Sequence, residues 1–393
     1  MIPEVPIGNA AGPDSRADGS PAGRAAIVGR PRGVISDGVM AHDEDAVRAA
    51  VFGRPEMTVS APTADLPAGT AELTGEAAAA GEDLDRCLGL AQRWGPRVPL
   101  PGGGSTCERW HLLLAAAEGD LTAARVMEPH LDALAIFAEA GQSPPPGAWG
   151  VFAAEAPQAL LRAEQRHRRW VLRGRKPWCS LAGLLDGALV TAHTAHGRAL
   201  FAVDLKHPGV TARPGTWVAR GLRAVDSGPV DFSDVPATPV GEPGWYLSRP
   251  GFAWGGIGVA ACWAGGAAGL LSALRDGLTG RQPDRVRAAN LGAADTAQFA
   301  AVAALGASAT RIDAGAATGE AGELLAARVR AVVHDAAERV LREVGHALGP
   351  GPLAFDERYA RRVADLEIYL RQHHAERDLA DLGARLLTEA EAE

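Results

Sequence analysis

Near the C-terminus two histidines stand side by side, His373 and His374, followed by Glu376 and Asp378. An imidazole, with an unperturbed pKa of about 6.5, takes or gives a proton near neutral pH, so this pair is a candidate for acid–base chemistry. Partly exposed helix histidines paired with Glu376 or Asp378 would read the same way. Other reactive groups are weaker. His193 and His196 offer two imidazoles with no third ligand near in sequence, so no metal site is expected. Cys87, Cys107, Cys179 and Cys262 lie far apart without zinc-type spacing, as suits isolated thiols in a reducing cytoplasm. The Pro99–Gly104 loop lacks the Lys-Ser/Thr ending of a phosphate-cradling loop, and Arg166-His167-Arg168-Arg169 reads more readily as a solvated hairpin than as a phosphate site.

The overall charge narrows the partners. With 39 basic and 47 acidic side chains the net charge is −8, which argues against a nucleic-acid binder. The 47% apolar content suits a folded chain with a filled interior. The opening Met1-Ile2-Pro3-Glu4 shows no basic-then-apolar secretion pattern, so a cytoplasmic location is expected. Phe252 to Leu274 runs 23 residues without a charge, long enough to cross a bilayer. Six glycines and many alanines make it instead a helix for close packing inside a bundle, and no membrane partner is expected.

These groups must be carried by a succession of distinct textures. Residues 1–80 hold one aromatic, Phe52, and many glycines and prolines, so a mostly disordered leader is expected. Residues 81–147 read as a shortened α-helical domain: Leu84, Cys87, Leu88 and Ala91 recur at helical spacing, and two more helices span Trp110–Glu118 and Leu121–Ala140, with Asp120 a plausible N-cap between them. Residues 148–243 turn to β, with short apolar runs around Trp170, Ala188, Leu200 and Val230 that suggest a compact sheet or barrel. Residues 244–393 are helical again: Leu324 to Val344 follow three-and-four spacing until Gly349-Pro350-Gly351-Pro352, and a last helix is read from Asp356 to Leu382.

This order of helices, β domain and helical bundle, with the residues at its joints, resembles the acyl-CoA dehydrogenase family. Gly150-Val151-Phe152-Ala153-Ala154-Glu155-Ala156-Pro157 resembles the family's flavin-contacting loop, and Gly174-Arg175-Lys176-Pro177-Trp178-Cys179-Ser180 is similar to its GxKxW-x-S/T segment. The resemblance covers roughly residues 82–385. It implies an α+β fold with an N-terminal α-helical domain, a central β domain and a C-terminal four-helix bundle. It also implies FAD between β domain and bundle, and oxidation of a CH–CH bond in an acyl thioester, possibly acyl-CoA. Electrons would pass to an electron-transfer flavoprotein, and the assembly would be a homodimer or homotetramer. Trp178 would give the flavin an apolar face, Ser180 and the backbone at Cys179 its edge, with Glu155 nearby. Gly349 and Gly351 sit where the family brings a glycine loop near the FAD pyrophosphate of a neighbouring subunit, although a plain helix stop explains them equally well.

The departures are equally specific. Where the family keeps a glutamate base this chain has Tyr369 to Asp378, with His373 or His374 at the expected place; Glu376, two or three residues further along a helix, would be rotated away by about 200 to 300 degrees. The second place the family uses for its base reads Arg249-Pro250-Gly251-Phe252, without a carboxylate. The arginine-glutamine-phenylalanine-glycine signature for the FAD diphosphate is missing, and Arg281-Gln282-Pro283-Asp284 does not restore it. Two alternatives therefore stand beside the dehydrogenase: a flavin-dependent monooxygenase on the same fold, and a non-catalytic relative that keeps the fold for binding or assembly.

Overall fold

The computed structural model describes residues 67–157, 159–279 and 284–392. The leader expectation therefore lies outside the described residues as far as position 66, and its last part is corrected. Thr70–Ala80 form a helix, α1, because Leu73, Ala77 and Ala80 make an apolar stripe that packs on the third helix. Helix α2 (Leu84–Trp94) follows, capped by the Asp83 carboxylate accepting from the Arg86 amide. Helices α3 (Thr106–Gly119) and α4 (Leu121–Glu139) then run back to back. Asp120 divides them as its spacing suggests, accepting from the Thr122 amide at 2.9 Å. It also holds Arg361 of a distant helix at 2.5 Å.

The β domain contains β1 (Trp149–Phe152), β2 (Leu161–Arg166), β3 (Arg169–Lys176), β4 (Gly187–Thr194), β5 (Gly197–Asp204), β6 (Val210–Ala212) and β7 (Val230–Val240). The pairing runs β4–β2–β3–β7–β5, and β5 returns to β4, so the strands close on themselves. Short β1 runs parallel to the first half of β4, from Trp149 beside Gly187 to Phe152 beside Val190. Closure removes exposed edges and lets Leu172, Leu189, Leu200, Phe201 and Val235 be fully buried. The Arg166–Arg169 run is the β2–β3 hairpin, with His167 and Arg168 at positive φ.

The C-terminal helices are α5 (Trp245–Ser248), α6 (Pro250–Leu278), α7 (Arg285–Asp313), α8 (Gly319–Leu348), α9 (Pro350–Phe355), α10 (Glu357–Leu370) and α11 (Glu376–Ala392). Helix α6 is the hub, in contact with α3, α4, α7, α8 and α10. Its most apolar window has mean hydropathy 1.7 and is 72% buried inside the fold. The glycines make that possible: a Cβ on Gly265 would run into the Leu114 carbonyl of α3, and one on Gly269 into the Arg362 guanidinium of α10.

One expectation fails here. The last helix is broken rather than continuous from 356 to 382: Arg371 to Ala375 form a turn between α10 and α11, with Ala375 in the left-handed region at φ 48. Side-chain hydrogen bonds drive the break. The His373 Nδ1 accepts the Ala375 amide at 3.2 Å, and the Asp378 carboxylate accepts the His374 amide at 3.1 Å. Glu376 consequently opens α11, and the rotation expected of a continuous helix does not apply.

Candidate flavin cleft

Helix α4, the β domain and the α10–α11 turn enclose a cleft of about 810 Å³. The β wall presents Val151 and Ala153–Glu155 from the end of β1, with Trp178 and Ser180 from the loop after β3. The helical wall presents Arg125, Glu128 and Asp132 from α4, Val259 from α6, and Tyr369, Gln372 and His374 from α10 and its turn.

Trp178 is 58% exposed and meets Trp217 edge to face at 6.3 Å, while Trp217 is pinned by donating to the Leu222 carbonyl. An apolar ring this open in a concave site offers a flat surface to a planar ligand. Beside it the Ser227 hydroxyl donates to the Val225 carbonyl, so the 2.8 Å contact between Ser227 and Ser180 requires Ser180 to be the donor. Ser180 in turn accepts from Arg125 Nη2 at 3.1 Å. The Ser180 hydrogen is thereby engaged, which corrects the simple picture of this hydroxyl as a free edge donor. Donor capacity lies with Arg125 instead, whose Nη1 is buried without a hydrogen-bond partner.

Glu155 lines the cleft and is braced from behind. Its Oε1 lies 3.0 Å from His193 Nε2, 3.1 Å from Arg198 Nε and 3.9 Å from Lys176 Nζ. Arg198 also donates to the Ala153 carbonyl at 2.6 Å, and Lys176 donates to Thr191 from a buried position. Burial pushes the Lys176 ammonium down to about 8, against the pull of Glu155. The network holds the Ala153–Glu155 loop in place.

The histidines separate. His373 is buried, stacks on His334 at 4.4 Å, and uses Nδ1 as an acceptor for the Ala375 amide, so the proton of its neutral ring sits on Nε2. Burial, with His334 adding to it, holds its pKa below the ordinary value. It shapes the turn. His374 lines the cleft instead, its side chain 60% exposed and its Nδ1 3.1 Å from Asp378 Oδ1. Burial acts to raise Asp378, but hydrogen bonds from the His374 amide and ring outweigh it and keep the carboxylate ionised. A ring fixed through Nδ1 leaves Nε2 as its exchangeable site, the arrangement needed to hold or move a proton.

Cys179 does not face the cleft. Its thiol is buried against the Lys176 and Pro177 carbonyls, lines a separate hollow, and is pushed up to about 12 by burial. Gly349 ends α8 at φ 69 and Gly351 lies in α9; neither lines the cleft. Arg281 to Pro283 are outside the described residues.

Two functional candidates escaped sequence reasoning. Glu128 and Asp132 follow Arg125 at helical spacing and look like a solvent-facing charged stripe, yet they lie buried between the cleft and a helical chamber, with Arg249 at the head of α6 and Gly255 within it beside Asp132, and Arg330 of α8 in the field of Glu128. Burial pushes Glu128 up to about 7 despite Arg125, Arg109 and Arg330, and it also raises Asp132. No local signal marks them, since a charged helix face ordinarily meets solvent.

Residues 152–235 match the family model for the acyl-CoA dehydrogenase middle domain. No curated protein matches by sequence. Among solved structures, KijD3 bound to FMN and a dTDP-linked 3-amino-4-keto sugar has TM-score 0.67 at 18% identity, covering 83% of this chain and 92% of its own. FMN-bound TdsC from Paenibacillus sp. A11-2, a dibenzothiophene monooxygenase, has TM-score 0.69 at 17% identity, covering 81% and 96%. Butyryl-CoA dehydrogenase from Megasphaera elsdenii has TM-score 0.68 at 17% identity, covering 81% and 97%.

Proposed function

We propose that this chain, which has the acyl-CoA dehydrogenase fold and matches that family's middle domain over residues 152–235, is a divergent relative that works as a flavin-dependent oxidoreductase of the oxygen-using kind, a monooxygenase rather than a dehydrogenase. The carrying observation is convergence: Trp178, Ser180 and the Ala153–Glu155 loop, on separate segments of the β domain, meet Arg125 and Tyr369 across one cleft. The residues fit a flavin, since an open indole supplies a flat apolar face and Arg125 Nη1, ion-paired with Glu128 at 3.5 Å, supplies a buried donor without a hydrogen bond.

When bound, a flavin supplies two-electron chemistry and, once reduced, reactivity toward oxygen. Trp178 would cover the ring, Arg125 would donate at its edge, and the Ala153–Glu155 loop would shape the site. His374 Nε2, oriented by Asp378, would hold or deliver the proton an oxygen-transfer reaction needs. The chain keeps no glutamate where the family has its base, and the side chamber off the cleft is lined with charge, which an acyl chain would have to desolvate. FMN is favoured over FAD, in keeping with the FMN-bound neighbours and the missing diphosphate signature.

The test is a titration of purified protein with FMN and with FAD. Saturable one-to-one binding, tighter for FMN, is the expected result. Anaerobic addition of butyryl-CoA to the loaded protein should not bleach the flavin, whereas a supply of reduced FMN in air should support substrate oxidation. Bleaching by butyryl-CoA would restore the dehydrogenase reading, and failure to bind either flavin would leave the fold without redox function.

A further inference from the structure

Beneath the cleft a second chamber of about 560 Å³ opens between α4, α6, α8 and α11, sharing Glu128, Asp132, Tyr246 and Val259 with the cleft as common walls. Its charged groups are unequally engaged. Arg330 donates to the Gly256 and Gln372 carbonyls, Arg385 pairs with Glu323 at 2.6 Å, and Arg249 pairs with Glu139 at 2.7 Å. Asp378 is taken up by His374.

Glu128 and Asp132 are different. Among the described residues neither carboxylate accepts a hydrogen bond; the closest cations are Arg125 at 3.5 Å and Arg249 at 3.7 Å. Their side chains are only 12% and 20% exposed, so water cannot fully solvate them. An ionised carboxylate in such a place is costly unless a donor reaches it. A second sign of a missing ligand is Arg249, whose side chain lines the chamber, is 2% exposed, and leaves Nε without a partner. The chamber thus holds two acceptors in want of donors beside one donor in want of an acceptor.

We propose that this chamber receives the ammonium group of an amine substrate, seated between the Glu128 and Asp132 carboxylates, with an oxygen of the same substrate toward Arg249. The inference rests on reading the cleft as the flavin site, because the adjoining chamber is then where substrate lies. Glu128 sits one turn before Asp132 on α4, so one ammonium, with three diverging donors, can reach both. The field at Glu128 also includes Arg109 of α3, Arg330 of α8, and Cys262 and Tyr369 beside it on α6 and α10. An arriving cation favours the ionised carboxylate. Binding should therefore release protons near neutral pH, and affinity should rise between pH 6 and pH 8 as Glu128 ionises.

The experiment titrates cyclohexylamine, cyclohexanol and cyclohexanecarboxylate into the full chain, with and without FMN, by ligand-observed NMR and calorimetry. Cyclohexylamine should bind about 10-fold more tightly than either analogue at pH 8, a difference of about 1.4 kcal/mol. Glu128→Gln and Asp132→Asn should each remove that preference, and Glu128→Gln should flatten the pH dependence, with FMN absent as with FMN bound. The proposal is overturned if the amine fails to bind, if the alcohol or acid binds as tightly, or if Glu128→Gln leaves amine binding unchanged. Loss of FMN binding alone would sink the flavin reading and not this one, since the amine is also measured without flavin.

Discussion

The two walls of the cleft are built on opposite plans. On the β wall opposite charges are gathered: three cations stand within 3.9 Å of Glu155, although Arg198 Nε is left without a hydrogen bond, and Ser180 and Ser227 form a directed chain from Arg125 to a carbonyl. On the helical wall, among the described residues, Glu128 and Asp132 accept no side-chain hydrogen bond, and the buried Tyr369 hydroxyl lies near the Cys262 thiol. A satisfied polar network rigidifies its surroundings, whereas unsatisfied buried groups hold free energy that a ligand can recover. The β wall is therefore the better compensated of the two, and the helical wall has more to gain from a ligand.

The contrast can be broken at its fastening first. Asp120 caps α4 and pairs with Arg361 in a nearly dry setting, so Asp120→Ala should lower unfolding stability by about 4 kcal/mol, read by urea denaturation. Next comes Glu128. Because its folded-state pKa is raised from 4.5 to about 7, the folded protein keeps a proton that the unfolded chain has lost across that window. Its contribution is intact below pH 4.5 and fades as pH climbs through 7. Glu128→Gln should thus be more stable than wild type by about 3 kcal/mol at pH 8 and no different near pH 4. Equal stability at both pH values would mean the helical wall is better solvated than its geometry indicates. His374→Ala should slow turnover about 100-fold with flavin affinity nearly unchanged, in keeping with loss of a positioned acid or base. Trp178→Ala should weaken flavin binding about 10-fold while leaving stability alone, since the indole is exposed at the cleft and supports no core.

Much of this arrangement could be read in the sequence. Asp120 as a cap, the β texture after Ala148 and the packing role of the glycine-rich helix all follow from local chemistry, and the structure places them so. Trp178, Ser180 and Glu155 were legible because their spacing along one loop and one strand end is local. The break at residues 371–375 was not, since it contains neither glycine nor proline and is made by two side chains competing for backbone amides. Glu128 was hidden for a different reason. A charged face on a helix means solvent unless something far away in the chain covers it, and here the cover includes Arg109 of α3, Arg249 at the head of α6 and Arg330 of α8.

Arg330 reaches out of α8 and grips two peptide carbonyls at once, Gly256 inside α6 and Gln372 at the end of α10, each at 2.9 Å. That double hold works as a rivet between the hub helix and the bend carrying His374. Moving the bend would mean breaking both bonds at once. The backbone that carries His374 is therefore fixed to the hub helix before anything binds, and only the exposed ring is left to turn.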